Sequence, residues 1–318
     1  MIKKIKAAYL GSGPISHFHI PALKKANFKI ISVFSRKNSS RLKEFAFKFS
    51  LPKPSYDLLS FINDSKEADC FVVAIKTEFT PKILKILMKL NKPIFVEKPG
   101  ALKSKDLINL KKIKNNKVFF AYNRRFYNAA EQAFNFIQKN TSTNTIVKIP
   151  DSTRTWHQFK INGCHVIDLL FFLYGKLKLL NVYPTKNIKK TGVSFVMRSR
   201  RGDVISVLLN WGSPDNFEIS INGDKKKFEL KPIEIGSYYE KMEIIEPSKK
   251  IPLRLYKPKV KYVYAPKKNF NIKPGFLEQY KEFYNYLIKK QKSKKLCGLN
   301  EAIRDLEIIE KIIKASKK

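Results

Sequence analysis

The chain has 318 residues, of which 64 are Lys or Arg and 26 are Asp or Glu, giving a formal charge of +38. A hydrophobic fraction of 43% with 13% aromatics is ample for a buried core, which excludes disorder as the dominant state and leaves room for two domains. The charge invites a nucleic-acid reading, but only ten of the basic residues are arginine. The excess is spread as +17 over residues 1–122 (25 basic, 8 acidic) and +21 over residues 123–318 (39 basic, 18 acidic). A chain-wide lysine bias therefore explains it better than a dedicated polyanion surface.

The basic start is followed by an apolar stretch that stops at Leu10, too short for a signal peptide, and no run approaches membrane-spanning length. Cys70, Cys164 and Cys297 are widely spaced and odd in number, which fits a reducing compartment without a disulfide frame. These features set the expectation of a soluble cytoplasmic protein with no membrane partner and no specific nucleic-acid partner.

Along the first third, short apolar runs at 5–10, 29–34, 70–75, 93–97 and 117–122 alternate with helical patterns, the arrangement of βαβ units in a parallel sheet. One such helix is expected over 81–90, where Ile83, Leu84, Leu87 and Leu90 fall at helical spacing. A second apolar helix is expected over 165–174, closed by Gly175. The pattern then changes. Runs at 193–199 and 204–211, and at 217–222 and 227–230, flank short turn segments and read as two hairpins of an antiparallel sheet. Residues 231–273 show no clear period. Two amphipathic helices finish the chain, one with Phe276, Tyr280, Phe283, Tyr284 and Leu287 on a face, the other with Ala302, Leu306, Ile309 and Ile313.

Gly11-Ser12-Gly13-Pro14-Ile15-Ser16 lies between the first strand and the first helix, the context that a dinucleotide fingerprint requires. Gly11 allows a tight turn and Gly13 a close approach of backbone to a pyrophosphate, with free N–H groups at the helix start. Ser16 stands at the third glycine position, where a small residue suffices for helix packing. At the end of the second strand, Ser35-Arg36-Lys37 replaces the acidic residue expected of an NAD site. A hydroxyl and two cations suit a 2′-phosphate, so NADP is favoured and NAD is kept as the alternative. Glu97-Lys98-Pro99 places a charged pair at the carboxyl edge of the parallel sheet, where ligands bind. Pro99 keeps Lys98 out of helical geometry.

At these residues the chain resembles the Gfo/Idh/MocA oxidoreductases, relatives of glucose-fructose oxidoreductase and inositol dehydrogenase. The matching features run in order: Gly11-Ser-Gly13, His19-Ile-Pro-Ala-Leu23, Ser35-Arg36, Glu97-Lys-Pro99, Gly163-Cys-His-Val-Ile-Asp168, Trp211, Ile221-Asn-Gly223 and Gly275-Phe276. The resemblance implies an α/β chain with a Rossmann doubly wound parallel sheet over residues 1–122. A carboxyl-terminal α/β domain over 123–318 follows, with an open, mainly antiparallel sheet that makes a homodimer or homotetramer.

It further implies an NAD(P)-dependent oxidoreductase acting on a hydroxyl or ketone of a sugar, cyclitol or nucleotide-sugar. Lys98 polarises the reacting hydroxyl and His165 takes its proton. Asp168, Asn162 and Arg124 bind substrate, and Gly11, Ser12, Gly13, Pro14, Ile15, Ser35, Arg36, Lys37, Glu97 and Lys98 hold the cofactor. The chemistry is apt, since histidine titrates near neutral pH and a neighbouring cation stabilises an alkoxide. His17 and His19, two apart on one helix, do not share a face and make no metal pair, and no metal is expected.

The chain departs from the family at Ile161, where an Asp is common, at Trp156-His-Gln-Phe-Lys160 in place of a glycine-rich lead-in, and at Lys76, Thr77 and Thr80. Two other functions follow from particular features: a cofactor-binding protein without redox turnover, favoured by Ile161, and, third in order, a nucleic-acid-binding protein, motivated by +38.

Overall fold

The computed structural model describes residues 3–35, 40–266, 272–291 and 293–317. They form two compact units, the first drawn from residues 1–126 and 268–310, the second from 127–267 and 311–318. The chain thus enters the first unit twice, whereas the sequence pattern suggests a single boundary after Tyr122.

In chain order the strands are β1 (Ile5–Leu10), β2 (Phe28–Phe34), β3 (Cys70–Val73), β4 (Ile94–Val96) and β5 (Val118–Phe120), then β6 (Asn144–Asp151), β7 (Leu177–Pro184), β8 (Val193–Ser199) and β9 (Val204–Trp211). These are followed by β10 (Glu218–Gly223), β11 (Lys226–Leu230), β12 (Gly236–Ile245), β13 (Leu255–Tyr264) and β14 (Cys297–Gly298).

The sheet of the first unit has the order β14-β5-β4-β3-β1-β2. β1 pairs in parallel with both β2 and β3, so the winding reverses at β1 and opens a crevice at the carboxyl ends of β1 and β3. All five parallel runs expected from the sequence are present, the later three trimmed by two or three residues. β3, β4 and β5 read Cys-Phe-Val-Val, Ile-Phe-Val and Val-Phe-Phe and are buried throughout, as required of a parallel sheet covered on both faces. β14 adds an antiparallel edge, pairing Cys297 with Phe120.

One face of this sheet is covered by the helix Phe276–Lys289. Its Tyr280 and Phe283 lie 5.0 and 5.1 Å, ring to ring, from Phe95, and Phe283 stacks on Phe28 at 6.0 Å. Each fully buried ring contributes about 1.5–3 kcal/mol of hydrophobic stabilisation. The helix is therefore part of the core of the nucleotide unit although it arrives some 150 residues after β5.

The second unit is built on an eight-stranded sheet of order β13-β12-β11-β10-β6-β9-β8-β7. Both expected hairpins are present, and one pair in the centre, β6 with β9, is parallel. Along β9 burial alternates strictly: Ile205, Val207 and Leu209 are buried, and Ser206 and Leu208 stay partly open. The buried face is the covered one. The helix Asn128–Gln138 packs on β10 to β13 and also contacts the helix Cys164–Tyr174. The Tyr174 hydroxyl, 2.5 Å from Thr145 Oγ1, ties the end of that helix to the start of β6. The opposite face, bearing Ile146 at 44% exposure, is open.

Residues 231–273, for which the sequence shows no period, contain the long β12–β13 hairpin, with two register shifts around Tyr239. β13 is exposed along almost its whole length, so neither face had to be apolar and no alternation was written into it. Among the described residues no helix is long and apolar enough to cross a membrane.

Candidate cofactor site and catalytic residues

The turn after β1 is built on glycine because nothing else fits. Gly11 has φ of +128°, and a Cβ placed on it would lie 2.1 Å from the carbonyl oxygen of Ala74 at the end of β3. Its N–H donates to the Phe34 carbonyl at 2.9 Å, and the Ala74 N–H donates to the Leu10 carbonyl at 2.7 Å. The three strand ends are thereby held together around the turn. Gly13 faces the other way, with nothing within 4 Å of where its Cβ would stand.

The helix Ser16–Lys25 follows directly, capped by the backbone of Ile15 with no side-chain cap and with no acidic residue in its first turn. An uncapped amino terminus beside an open glycine is a ready cradle for a dinucleotide pyrophosphate. The residues present therefore fit the cofactor. Beside the turn, Ser12, Pro14, His17, Glu44 and Lys48 contribute to the lining of a cavity of about 610 Å³.

At the end of β2, the hydroxyl of Ser35 lies 3.1 Å from that of Ser12. The position that carries a carboxylate in NAD sites is thus neutral and tied to the glycine turn. Arg36 and Lys37 lie outside the described residues.

β4 delivers the charged pair. The Glu97 N–H donates to Val73 and the Ala121 N–H to Val96, both at 2.8 Å, so the backbone at the strand end is held from two sides. The Lys98–Pro99 peptide is cis. Lys98 is half-buried, between buried Val96 and buried Pro99. Behind it, His19 on the first helix reaches Glu97 Oε1 with Nε2 at 2.7 Å and the Tyr280 hydroxyl with Nδ1 at 2.6 Å. His19 is 1% exposed and Glu97 12%. Burial raises the Tyr280 phenol well above its ordinary range, and the neighbouring Tyr9 and Glu97 add to the shift. Burial raises Tyr9 in the same way.

Arg124 follows β5 in the 3-10 turn Asn123–Phe126 and is buried. The next residue, Arg125, is anchored to Glu301 at 3.1 Å.

In the second unit, Thr155 caps a short helix, Trp156–Gln158, by accepting from the Gln158 N–H at 3.1 Å. A π-helical turn, Phe159–Gly163, leads from it into the helix Cys164–Tyr174. Gly163 is compelled by packing, since a Cβ there would stand 2.3 Å from the Phe159 ring. Such π turns widen the backbone and are frequent at functional sites. Ile161 and Asn162 lie within the turn. His165 and Asp168 come one helical turn apart on the same face, 8% and 0% exposed.

Residues 5–122 match the sequence profile of the GFO_IDH_MocA oxidoreductase family, described as an NAD-binding Rossmann fold. The match is confined to that segment. No curated protein sequence matches the chain. Among solved structures, it is similar to a Clostridium difficile dehydrogenase, MviM, at 20% identity and a TM-score of 0.74, covering 98% of this chain and 100% of that one. It is also similar to the aldose-aldose oxidoreductase of Caulobacter crescentus, complexed with glycerol, at 16% identity and a TM-score of 0.77, with 99% and 98% covered. The WlbA dehydrogenase of Bordetella pertussis, in complex with NADH and UDP-GlcNAcA, matches at 16% identity and a TM-score of 0.73, with 99% and 97% covered. These likenesses show a shared fold over nearly the whole chain.

The first unit gathers Gly11, Ser12, Gly13, Pro14, Ile15 and Ser35 around one turn, and it sets Glu97 and Lys98 at a neighbouring strand end. The second unit holds Asn162, His165 and Asp168 on one π turn and the helix it feeds. The sequence reading gave no role to His19, Tyr280 and Tyr9. A histidine followed by the apolar Ile20, Ala22 and Leu23 was the available signal, because a buried imidazole requires partners for both nitrogens.

Proposed function

We propose that the protein is an NAD(P)-dependent oxidoreductase that interconverts a hydroxyl and a ketone on a sugar, cyclitol or nucleotide-sugar. The observation that carries this is the Gly11–Gly13 turn, closed against Ala74 on one side and open on the other, with the Glu97–Lys98 pair at a nearby strand end. The Caulobacter and Bordetella proteins that share the fold support the substrate class, one named as an aldose-aldose oxidoreductase and the other bound to UDP-GlcNAcA.

In this reading the backbone N–H groups at the start of the helix Ser16–Lys25 and the glycine turn bind the pyrophosphate, and Glu97 binds on the nicotinamide side. When bound, the nicotinamide ring supplies the hydride acceptor. The Lys98 ammonium donates to the substrate oxygen and stabilises the charge that develops there as the O–H proton leaves. His165 receives that proton, and Asp168 orients the imidazole or holds a further hydroxyl. Asn162 and Arg124 bind the substrate. The reverse reaction uses the same groups with the proton returned from His165.

NADP is the favoured cofactor, because Ser35 offers a hydroxyl where an aspartate would repel a 2′-phosphate. Ser35→Asp is expected to reverse the preference, weakening NADPH binding by about tenfold or more while sparing NADH. Fluorescence titration with the two reduced cofactors reads this directly; an unchanged ratio removes Ser35 from the specificity assignment.

Two further features belong to the proposal. The open face of the eight-stranded sheet, with Ile146 and Leu208 on it, is the surface through which a homodimer or homotetramer forms. The three free cysteines, all buried, fit the reducing cytoplasm.

A turnover screen of nucleotide-sugars, free sugars and cyclitols with both nicotinamides, followed at the nicotinamide absorbance, tests the whole reading. Turnover of a nucleotide-linked or otherwise acidic sugar is the expected result, given a surface biased to anionic ligands by +38. Activity confined to neutral sugars overturns the anionic part. The second reading, a cofactor-binding protein without turnover, rests on Ile161 in the π turn before His165. Tight NADPH binding with no turnover of any substrate, and no effect of altering His165, establishes it instead.

A further inference from the structure

We infer that His19 is a positioning residue for cofactor binding: it fixes the Glu97 carboxylate, and Tyr280 fixes His19. The inference rests on the assignment of the glycine turn and Glu97 to a nicotinamide cofactor, and it adds a chain of groups that touches no ligand itself.

The geometry sets the direction of both hydrogen bonds. A carboxylate only accepts, so the bond of 2.7 Å to Glu97 Oε1 requires the hydrogen of His19 on Nε2. In a neutral imidazole Nδ1 is then the acceptor, and the Tyr280 hydroxyl 2.6 Å from it donates. Burial of Tyr280 keeps that phenol protonated. With His19 neutral, the order Tyr280 O–H to Nδ1, Nε2–H to Glu97 gives both imidazole nitrogens a partner of fitting chemistry. With His19 1% exposed, no water competes for either nitrogen.

Three elements meet in this chain: the helix that opens at the dinucleotide turn, the end of β4, and the helix Phe276–Lys289. Glu97 keeps 12% exposure with one oxygen held by His19, and it follows directly on the carboxyl end of β4. Held in this way, it is an acceptor of fixed orientation, suited to a ribose hydroxyl or the carboxamide N–H of the nicotinamide nucleoside. The residue after it, Lys98, takes its backbone position from the same anchored strand end.

The test compares NADH and NADPH binding, by fluorescence titration, in full-length His19→Leu, His19→Gln, Tyr280→Phe, Glu97→Ala and the double variant His19→Leu/Glu97→Ala. Loss of a hydrogen bond to a charged group predicts binding about tenfold weaker for His19→Leu. Gln carries an amide donor close to the place of Nε2 and is expected to restore affinity to within about threefold. Because the two residues act as one unit, His19→Leu is expected to add nothing once Glu97 is Ala. A packing defect would instead weaken both backgrounds alike and would not be rescued by Gln. Tyr280→Phe keeps the ring and the fold, so it carries the test even if His19→Leu does not fold, and is expected to weaken binding about threefold.

Wild-type affinity in His19→Leu or Tyr280→Phe, or an equal loss in both Glu97 backgrounds, overturns the inference. Imidazole nitrogen NMR of the cofactor-free protein separates it from the cofactor reading. An Nε2–H tautomer that persists in Tyr280→Phe while its Nδ1 resonance shifts for loss of a donor supports the chain, and an Nδ1–H tautomer in the wild type sinks it whatever the cofactor does. Failure of the wild type to bind either nicotinamide overturns the cofactor assignment itself.

Discussion

Lys98→Met is expected to lower kcat by about 10³-fold while leaving the Kd for NADPH within about threefold of wild type. Methionine keeps the length and apolar stem of lysine, so a half-buried position keeps a side chain of similar bulk. What is lost is the ammonium, whose effect is largest when the substrate oxygen carries most charge, in the transition state. The fall should therefore appear in kcat and kcat/KM together. Steady-state kinetics beside a fluorescence titration of the same preparation makes the separation. Turnover at the wild-type rate removes Lys98 from the chemistry, and parallel loss of cofactor affinity reassigns it to the cofactor.

Gly11→Ala is expected to damage the fold itself. At φ of +128° an L-residue is strained, and the new methyl would sit 2.1 Å from the Ala74 carbonyl. Strain of this kind costs about 1–3 kcal/mol and overpacking a further 1–3. A loss of about 2–6 kcal/mol of stability is a large share of the 5–15 kcal/mol typical of folded domains. Thermal unfolding followed by circular dichroism should show a clearly lower Tm, and any protein that folds should no longer bind NADPH tightly. An unshifted Tm contradicts the packing described for the turn. Gly13→Ala supplies the contrast: nothing stands within 4 Å of its added methyl, so it should fold normally and lose affinity for the cofactor alone.

How far these features could be read from the amino-acid sequence follows from what each needed. The five parallel strands were legible because a sheet covered on both faces demands unbroken apolar runs such as those of β3, β4 and β5. The glycine turn was legible because backbone geometry admits no substitute at Gly11. The β12–β13 hairpin was not, since an edge exposed along both faces imposes no period on its side chains. Nor was the parallel pairing of β6 with β9, which depends on where the chain goes between them and leaves no mark on either strand.

In the candidate site, Glu97 and Lys98 stood out as charges at the end of an apolar strand. His19 did not, for its role depends on Tyr280, 261 residues away along the chain. The π turn before His165 was equally silent, although Gly163 and the ring it must clear, Phe159, are both present in the sequence.

The late arrival of the helix Phe276–Lys289 has a bearing on how the protein is made. A ribosome that has finished β5 has produced every parallel strand of the nucleotide unit, yet Phe28, Phe95 and Phe119 still lack the aromatic rings that cover them. The chain must emit residues 127–267 of the second unit before that surface is closed. For a cell, the nascent first unit is thus a long-lived sticky intermediate, the kind of species that chaperones hold. The same geometry means that residues 1–122, expressed by themselves as a would-be cofactor module, lack one wall of their own core.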